Sequence, residues 1–162
     1  MIHEMRIAKM SDLETIAEIE SICFPPEESA DRQKIKSRME AFPEGCFVMT
    51  EDEKIIGFIN GIRSESPVLT DDMFENAGLH EADGSYLMIL SVAVLPEYRR
   101  KGHARMMLRH FSECAWEARM KGVTLTCKPE LVEFYEKAGF RNHGKSDSVH
   151  GGFEWYEMRM TF

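Results

Sequence analysis

The sequence predicts an α/β fold (mixed α+β), in which a mixed β-sheet carries helices on its faces. Two strand-like stretches, CFVMTE and KIIGFINGIR, are separated by an acidic turn, which indicates a hairpin. The run SYLMILSVAVL is apolar on both faces, as expected for a strand in the middle of a covered sheet. Strand and helix patterns alternate after this run, so the sheet should contain a parallel pair of strands.

The first part of the chain predicts one strand and two helices. Residues 4–9 have strand character. Ser11 and Glu14 have the spacing of a capping box, and the apolar residues after them recur with helical spacing, so a helix is expected over residues 11–23. A second helical pattern covers residues 29–42.

The later part of the chain predicts a loop, two helices and three strands. Residues 64–84 are polar and lack a strong period, which indicates a long loop with one helical turn at DDMFENA. An amphipathic helix should follow the apolar run and end at Gly122. The strand VTLTC comes next, and a helix that starts at Pro129 should close at Gly139. Two last strands are expected near 140–146 and 152–160.

Composition and charge exclude several classes of function. At 162 residues the chain has the length of one domain, so residues 1–162 are assigned to a single domain. The formal net charge of -8 argues against an extended nucleic-acid surface. The longest apolar run, residues 86–95, has about half of the ~20 residues that a membrane helix needs, and the N-terminus lacks the apolar stretch of a signal peptide. A cytoplasmic protein without nucleic-acid or membrane partners is expected.

The cysteines and histidines predict no metal centre. The four cysteines lie far apart and form no C-x-x-C pair, which argues against a zinc ribbon or a redox motif, so reduced and buried thiols are expected. The six histidines show no metal-ligand spacing.

A cationic turn follows the central apolar strand and leads into a helix. The N-terminus of a helix has unpaired N–H groups and a partial positive charge, so it binds anions when a glycine lets the ligand approach. Arg99, Arg100 and Lys101 add charge at this point, and Gly102 removes the side chain that would block the backbone. The turn therefore predicts a phosphate site, although a solvated charge run beside a helix is the alternative.

The motif R-x-x-G-x-A of this turn, formed by Arg99, Gly102 and Ala104 after a strand that ends in V-x-P-E-Y, resembles the pyrophosphate-binding motif of the GNAT superfamily of acetyl-CoA-dependent N-acetyltransferases. The resemblance implies acetyl-CoA as cosubstrate and no metal. It also implies a mostly antiparallel, twisted sheet of about six to seven strands, flanked by about four helices and splayed between two central parallel strands. The implied cofactor-binding residues of the loop are Arg99, Arg100, Lys101, Gly102, His103, Ala104 and Arg105.

The segment VTLTCKPELVEFYEKAGF resembles the GNAT segment that ends in F-Y-x-x-x-G-F, and it is most similar to that of the arylalkylamine (serotonin) N-acetyltransferases. The resemblance implies that Tyr135 is a general acid. A tyrosine with an ordinary pKa near ~10 stays protonated at neutral pH and can donate to a leaving thiolate. Helical spacing alone also allows an interfacial aromatic whose hydroxyl merely finds a partner.

The resemblance also implies that the backbone of the central strand binds the cofactor. In the superfamily the backbone at a bulge of this strand is free to bind the pantetheine arm and to polarise the thioester carbonyl, and the corresponding residues here are Val92, Ala93 and Val94. Their side chains alone indicate only a core position.

The acceptor side is the least defined part of the resemblance. Phe24 and Pro25 match an aromatic residue and a proline that cover the amine in the arylalkylamine enzymes. A helix stop with a core-facing Phe is the alternative. Thr126 and Val92 complete the implied substrate-binding set. Two histidines that remove the proton in the arylalkylamine enzymes are replaced by Met88 and Leu90.

The proton-removal route and one cofactor contact are therefore left open. Ordered water, a carboxylate such as Glu20 or Glu27, or an amine that arrives neutral could serve as the route. Lys128 replaces an asparagine that many superfamily members have seven residues before the tyrosine, which puts a detail of cofactor binding in doubt.

Three functions are compatible with these patterns. The first is an N-acetyltransferase for a small, arylalkylamine-like primary amine, which attacks acetyl-CoA directly in a ternary complex, with Cys127 structural. The second is acetylation of a protein N-terminus or lysine, and the third is a non-catalytic CoA-binding regulatory module. The partners expected are acetyl-CoA and a small amine, for a monomer or a homodimer.

Overall fold

A computed structural model describes residues 1–162 and contains one seven-stranded sheet. Its strands are β1 His3–Ile7, β2 Cys46–Glu51, β3 Lys54–Ser64, β4 Tyr86–Val94, β5 Gly122–Cys127, β6 Arg141–Lys145 and β7 Tyr156–Thr161. The α-helices are α1 Leu13–Cys23, α2 Arg32–Ala41, α3 Asp71–Glu75, α4 His103–Glu117 and α5 Val132–Lys137.

The strand order is β1-β2-β3-β4-β5-β7-β6. Every neighbouring pair is antiparallel except β4 and β5, which run parallel. The predicted mixed and mostly antiparallel sheet is thereby confirmed. No helix of the fold has the combination of length and apolar composition that crossing a bilayer requires.

Two layers of helix bury the two faces of the sheet. On one face, α1 and α2 pack against β2 and β3 through an apolar cluster that includes Ile16, Ile35 and Phe58. On the other face, α4 contributes Met107 and Phe111 to a larger cluster. This burial fixes β4, which lies in the middle of the sheet, between two apolar layers.

The start of α1 differs from the predicted capping box. A short 3-10 turn, Met10–Asp12, precedes the helix, and the carboxylate of Asp12 accepts a hydrogen bond from the Lys9 N–H at 2.7 Å. The guanidinium of Arg6 on β1 donates to the same carboxylate at 2.7 Å and holds the pKa of Asp12 below its usual value. Asp12 therefore organises this end of the helix, and the expected Ser11–Glu14 pair was wrong.

Gly122 also has a different role from the predicted one. Helix α4 ends at Glu117, and the chain turns at Arg119, whose φ is +62°. Gly122 is the first residue of β5, where an added Cβ would lie 2.3 Å from the carbonyl oxygen of Met160 on β7. The glycine is needed because two strands approach closely, so it does not end the helix.

Strands β4 and β5 are hydrogen-bonded only at their beginnings. Tyr86, Leu87 and Met88 pair with residues 122–124, and the two strands separate beyond this point. The gap leaves the second half of β4 without a neighbour on the β5 side, as the predicted splay requires.

A bulge interrupts the pairing of β4 with β3. Ser91 lies opposite Asn60 and Ile89 lies opposite Gly61, so Leu90 is the extra residue. The predicted position of this bulge, Val92 to Val94, was wrong because those three residues pair in regular register with β3. The free backbone edge that the prediction required comes from the missing β5 neighbour.

The predicted loop 64–84 contains α3, as the helical turn at DDMFENA indicated. It packs against residues 146–155, which connect β6 to β7. Asp71 of α3 accepts hydrogen bonds from the Ser148 hydroxyl and from the Val149 N–H, the second at 3.1 Å. These two segments lie together over the gap between β4 and β5.

Candidate active site

A cavity of about 370 Å³ occupies the region where β4 and β5 separate. Residues 89–92 of β4 and 125–127 of β5 form its floor, and α1, α2, α5 and the two covering segments contribute the rest of the lining. Several predicted site residues line it together: Phe24, Pro25, Val92, Thr126 and Tyr135. Ala93 and Val94 lie in the apolar core beside it instead.

Tyr135 reaches the cavity from α5. Its ring is 7% exposed and packs edge-on against Phe134 and Phe140, at centroid distances of 5.1 and 6.0 Å. Its hydroxyl has no hydrogen-bond partner within the protein. Burial, together with the neighbouring Cys127 thiol, raises the pKa of the phenol above its ordinary value, so the hydroxyl stays protonated at neutral pH. The arrangement provides a proton donor aimed at the cavity.

The thiols near the cavity are poor nucleophiles. Burial raises the pKa of Cys127 to about 12, and the carboxylate of Glu130 acts in the same direction. Burial also raises the pKa of Cys23, whose Sγ lies 3.4 Å from the Val94 carbonyl oxygen. All four cysteines of the chain are free. Since the thiolate is the reactive form, this chemistry fits structural thiols.

A buried polar cluster forms part of the cavity lining. Glu20 is 2% exposed, and its carboxylate accepts hydrogen bonds from the Ser91 hydroxyl at 2.9 Å and from the Ala30 N–H at 3.1 Å. Arg38 donates to Ser91 Oγ at 3.3 Å and to the Phe74 carbonyl at 3.0 Å. Burial raises the pKa of Glu20 in spite of these favourable contacts. The raised pKa makes this carboxylate a stronger base than an exposed glutamate.

The entrance of the cavity combines one ion pair with aromatic rings. Lys128 Nζ lies 2.8 Å from Glu28 Oε1 and 4.0 Å from the ring centroid of Phe153. His150 Nε2 lies 3.0 Å from the Glu28 carbonyl oxygen, and the Trp155 indole N–H donates to the His150 carbonyl at 2.8 Å. Lys128, the departure from the superfamily asparagine, is thus neutralised by Glu28 in this structure.

The loop before α4 has the geometry of an anion site. The backbone N–H groups of residues 102–105 have no acceptor within the protein, as expected at a helix N-terminus. Arg100 and Gly102 adopt positive φ values of 63° and 84°. A Cβ added to Gly102 would meet nothing within 4 Å, so the space over these amides is open. The sequence-based expectation of a phosphate site fits this open surface.

The side chains of the predicted loop residues make different contacts, and not all of them face the open space. Arg99 braces the turn, because its Nε donates to the Val94 carbonyl at 2.9 Å. Arg105 donates to the carbonyl of Lys137 at 2.5 Å and lines a second, wider cavity of about 730 Å³ together with Arg109. The imidazole of His103 turns away from the loop and is 5% exposed, so any contact of this residue with a phosphate would come from its N–H. Ala104 packs against the apolar core.

Sequence reasoning missed several residues of the cavity. Arg38 had a usable signal, because it falls on the same side of α2 as the buried Ile35 and Met39, where a cation is unexpected. Ser91 was visible only as an interruption of the apolar run. No sequence pattern indicated that Glu28 and His150 lie together, since 122 residues separate them in the chain. Of the two carboxylates offered as proton acceptors, Glu20 lines the cavity, whereas the exposed Glu27 does not.

Comparison with known proteins assigns the family. The sequence model of the acetyltransferase (GNAT) family matches residues 13–140, and the chain therefore belongs to this family. It is 26% identical over 120 residues to the serotonin N-acetyltransferase of Mesocricetus auratus, a match that covers 74% of this chain and 56% of that protein. The chain spans between about a third and a little over half of the length of the curated relatives that it matches.

Solved structures share the whole fold at low sequence identity. The loading GNATL domain of CurA from Lyngbya majuscula superimposes with a TM-score of 0.84 at 19% identity, covering 99% of this chain and 98% of that one. The GphF GNAT-like decarboxylase in complex with isobutyryl-CoA gives a TM-score of 0.81 at 21% identity, covering 98% of both chains. These likenesses establish the fold, and the chemistry has to be argued from the cavity.

Proposed function

We propose that this protein is an acetyl-CoA-dependent N-acetyltransferase that acetylates a primary amine by direct attack in a ternary complex. The proposal rests on the gap between β4 and β5, where the unpartnered Tyr135 hydroxyl meets a cavity, and on the open helix amides of residues 102–105, which follow β4 in the chain. Acetyl-CoA, when bound, supplies an acetyl thioester.

The chain's own residues fit the parts of acetyl-CoA that they would hold. The free N–H groups at Gly102 and beyond suit a diphosphate, and the cations Arg105, Arg109 and Lys137 of the second cavity suit further phosphate. Backbone groups of β4 along the gap, including Val92, are available to a pantetheine amide and to the thioester carbonyl. Tyr135 would donate the proton that a departing thiolate needs.

Glu20 is the proposed final acceptor of the amine proton. The Ser91 hydroxyl borders the cavity and donates to Glu20, so the two side chains form a path from the cavity into the protein. Arg38 lies on the other side of Ser91 and favours the ionised form of Glu20, which accepts the Ser91 proton while Ser91 Oγ takes the proton of the amine. This route replaces the two histidines of the arylalkylamine enzymes.

We further propose a small aromatic amine as the acceptor. The cavity has a volume in the range of small-molecule sites, and its acceptor side is lined by Phe24, Phe74 and Trp155. Two carboxylates, Glu20 and Glu28, also line the cavity. They are offset by Arg38 and Lys128, so these four side chains carry no net charge that would exclude a neutral amine. The 26% identity to a serotonin N-acetyltransferase supports the same choice.

The test measures CoA release by chromatography, which avoids interference from the protein's own thiols. Acetyl-CoA is offered with arylalkylamines, with aliphatic amines, and with peptides that carry a free N-terminus or a lysine. Fastest turnover with an arylalkylamine is the expected result. Preference for peptides would reject the small-amine acceptor, and binding of CoA without turnover of any amine would reject the enzyme in favour of a CoA-binding module.

A second candidate is decarboxylation of an acyl-CoA whose acyl chain ends in a carboxylate. Arg38 and Lys128 both line the cavity, and the Nε of Arg38 is buried without a partner, so a carboxylate could be held there. The same assay with malonyl-CoA separates the candidates, because decarboxylation converts it to acetyl-CoA without an amine. Arg38→Met should abolish that conversion if it occurs.

A further inference from the structure

A second cluster of titratable side chains lies outside the cavity, where β1, β2 and the start of α4 meet. His3 of β1 lies directly opposite Glu51 of β2, and His3 Nε2 is 2.8 Å from Glu51 Oε1. The ring of His103 lies beside that of His3, at a centroid distance of 4.7 Å. One ligand atom from each of the three residues falls within 4.8 Å of the other two.

His103 is the residue that needs explanation. It is 5% exposed, and both of its ring nitrogens are buried without a hydrogen-bond partner. A neutral imidazole always carries one N–H donor and one acceptor nitrogen, so burial without partners is unfavourable. Buried polar groups of this kind in folded proteins are usually satisfied by a partner, a water molecule or an ion.

We propose that His3, Glu51 and His103 form a binding site for a divalent transition-metal ion of the zinc class. Two imidazoles and one carboxylate are a common three-residue ligand set for zinc, with the fourth position left to water. Donor atoms around tetrahedral zinc lie about 3.4 Å apart, given bonds of roughly 2.1 Å. The candidate ligand atoms lie within 4.8 Å of one another, so the side chains would have to adjust to reach that spacing around an ion.

Access and location also fit a metal. The side chains of His3 and Glu51 are 26% and 14% exposed, so an ion can enter from solvent, while the buried His103 closes the inner side. The bound ion would fasten the N-terminal strand to the first residue of α4. No sequence pattern indicates the site, because the three ligands are 48 and 52 residues apart in the chain.

The test uses untagged protein that has been stripped with a chelator and then freed of it. Titration with Zn²⁺ in a calorimeter should show one equivalent bound with at least micromolar affinity. Co²⁺ in its place should give the intense visible absorption of a four-coordinate site. Glu51→Gln and His3→Gln change partly exposed side chains, should fold normally, and should each weaken Zn²⁺ binding by ~10-fold or more.

His143→Gln is the matched control. His143 is exposed on β6, at the opposite edge of the sheet from β1, so this variant should bind Zn²⁺ like the wild type. Absence of stoichiometric binding, or binding that survives both Glu51→Gln and His3→Gln, would overturn the proposal. None of these readouts depends on acetyl transfer.

Discussion

The two halves of β4 are both apolar in sequence and have opposite surroundings. Tyr86, Leu87 and Met88 are hydrogen-bonded to β3 on one side and to β5 on the other. Residues 91–94 pair with β3 but not with β5, and the cavity opens beside Ser91 and Val92. The first half holds the sheet together, and the second half exposes backbone and Ser91 to a ligand. Separation from one neighbour, rather than composition, therefore distinguishes the half of β4 that holds the sheet together from the half that lines the cavity.

The strongest test of this comparison removes one phenol hydroxyl from the cavity beside the splayed half and one from the paired half. Tyr135→Phe should lower kcat by ~100-fold to 10,000-fold, the usual contribution of a general acid, and should leave the affinity for acetyl-CoA nearly unchanged. Tyr86→Phe, in the paired half of β4, is the control and should retain wild-type kcat. Steady-state kinetics with the best acceptor measures both, and equal activity of the two variants would remove Tyr135 from the mechanism.

A core truncation in the paired half should affect stability instead of chemistry. Met88 is fully buried in a cluster with Ile62 and Leu69, so Met88→Ala should lower the free energy of unfolding by about 2–5 kcal/mol. The loss follows from removed contacts and the cavity that remains. Urea unfolding measures it, and kcat of the folded protein should stay within a few-fold of wild type. A loss of kcat with unchanged stability would contradict the division between the halves.

The polar cluster of the splayed half can be tested by pH. Burial raises the pKa of Glu20, so kcat/KM should fall as the pH drops through that raised value and the carboxylate becomes protonated. Glu20→Gln should reduce kcat/KM by at least ~10-fold and should lose this acidic limb. If the variant shows the same fall of kcat/KM at low pH, a group other than Glu20 causes it.

The raised pKa of Glu20 also makes the free energy of unfolding depend on pH. The folded state binds the proton more tightly than the unfolded chain, whose glutamate titrates near ~4.3. The contribution of Glu20 to stability is therefore fully present below that value and is lost as the pH rises through the folded pKa. As the pH rises across this range, the free energy of unfolding of the wild type should fall relative to that of Glu20→Gln, which stays neutral.

The smallest expected effect concerns the loop at the end of the splayed half. Gly102 and Gly144 both have positive φ, 84° and 94°, and both have open space where a Cβ would go. Alanine at either position should cost about 1 kcal/mol in backbone strain. Only Gly102→Ala should also raise KM for acetyl-CoA, because its methyl group would enter the proposed phosphate site. An equal KM for acetyl-CoA in the two variants would show that the phosphates do not bind at this loop.

Local patterns predicted much of the fold and part of the site. The hairpin of β2 and β3, the apolar β4 and the helix after Gly102 each follow from periodicity, which neighbouring residues specify. The family resemblance indicated Tyr135, Phe24 and Thr126, which do line one cavity. The bulge at Leu90 was misplaced because it depends on the register with β3, which no local pattern encodes.

By itself, the sequence determined which segments are strands and helices, where the chain turns at Gly102, and that a phenol follows β5 by a few residues. The buried cluster of Glu20, Ser91 and Arg38, and the position of His103 beside His3 instead of at the loop, follow from packing in the folded chain. The physical reason is that backbone periodicity acts over a few residues. The surroundings of a charged or imidazole side chain, by contrast, are set by elements far apart in the chain that meet only when both faces of the sheet are buried.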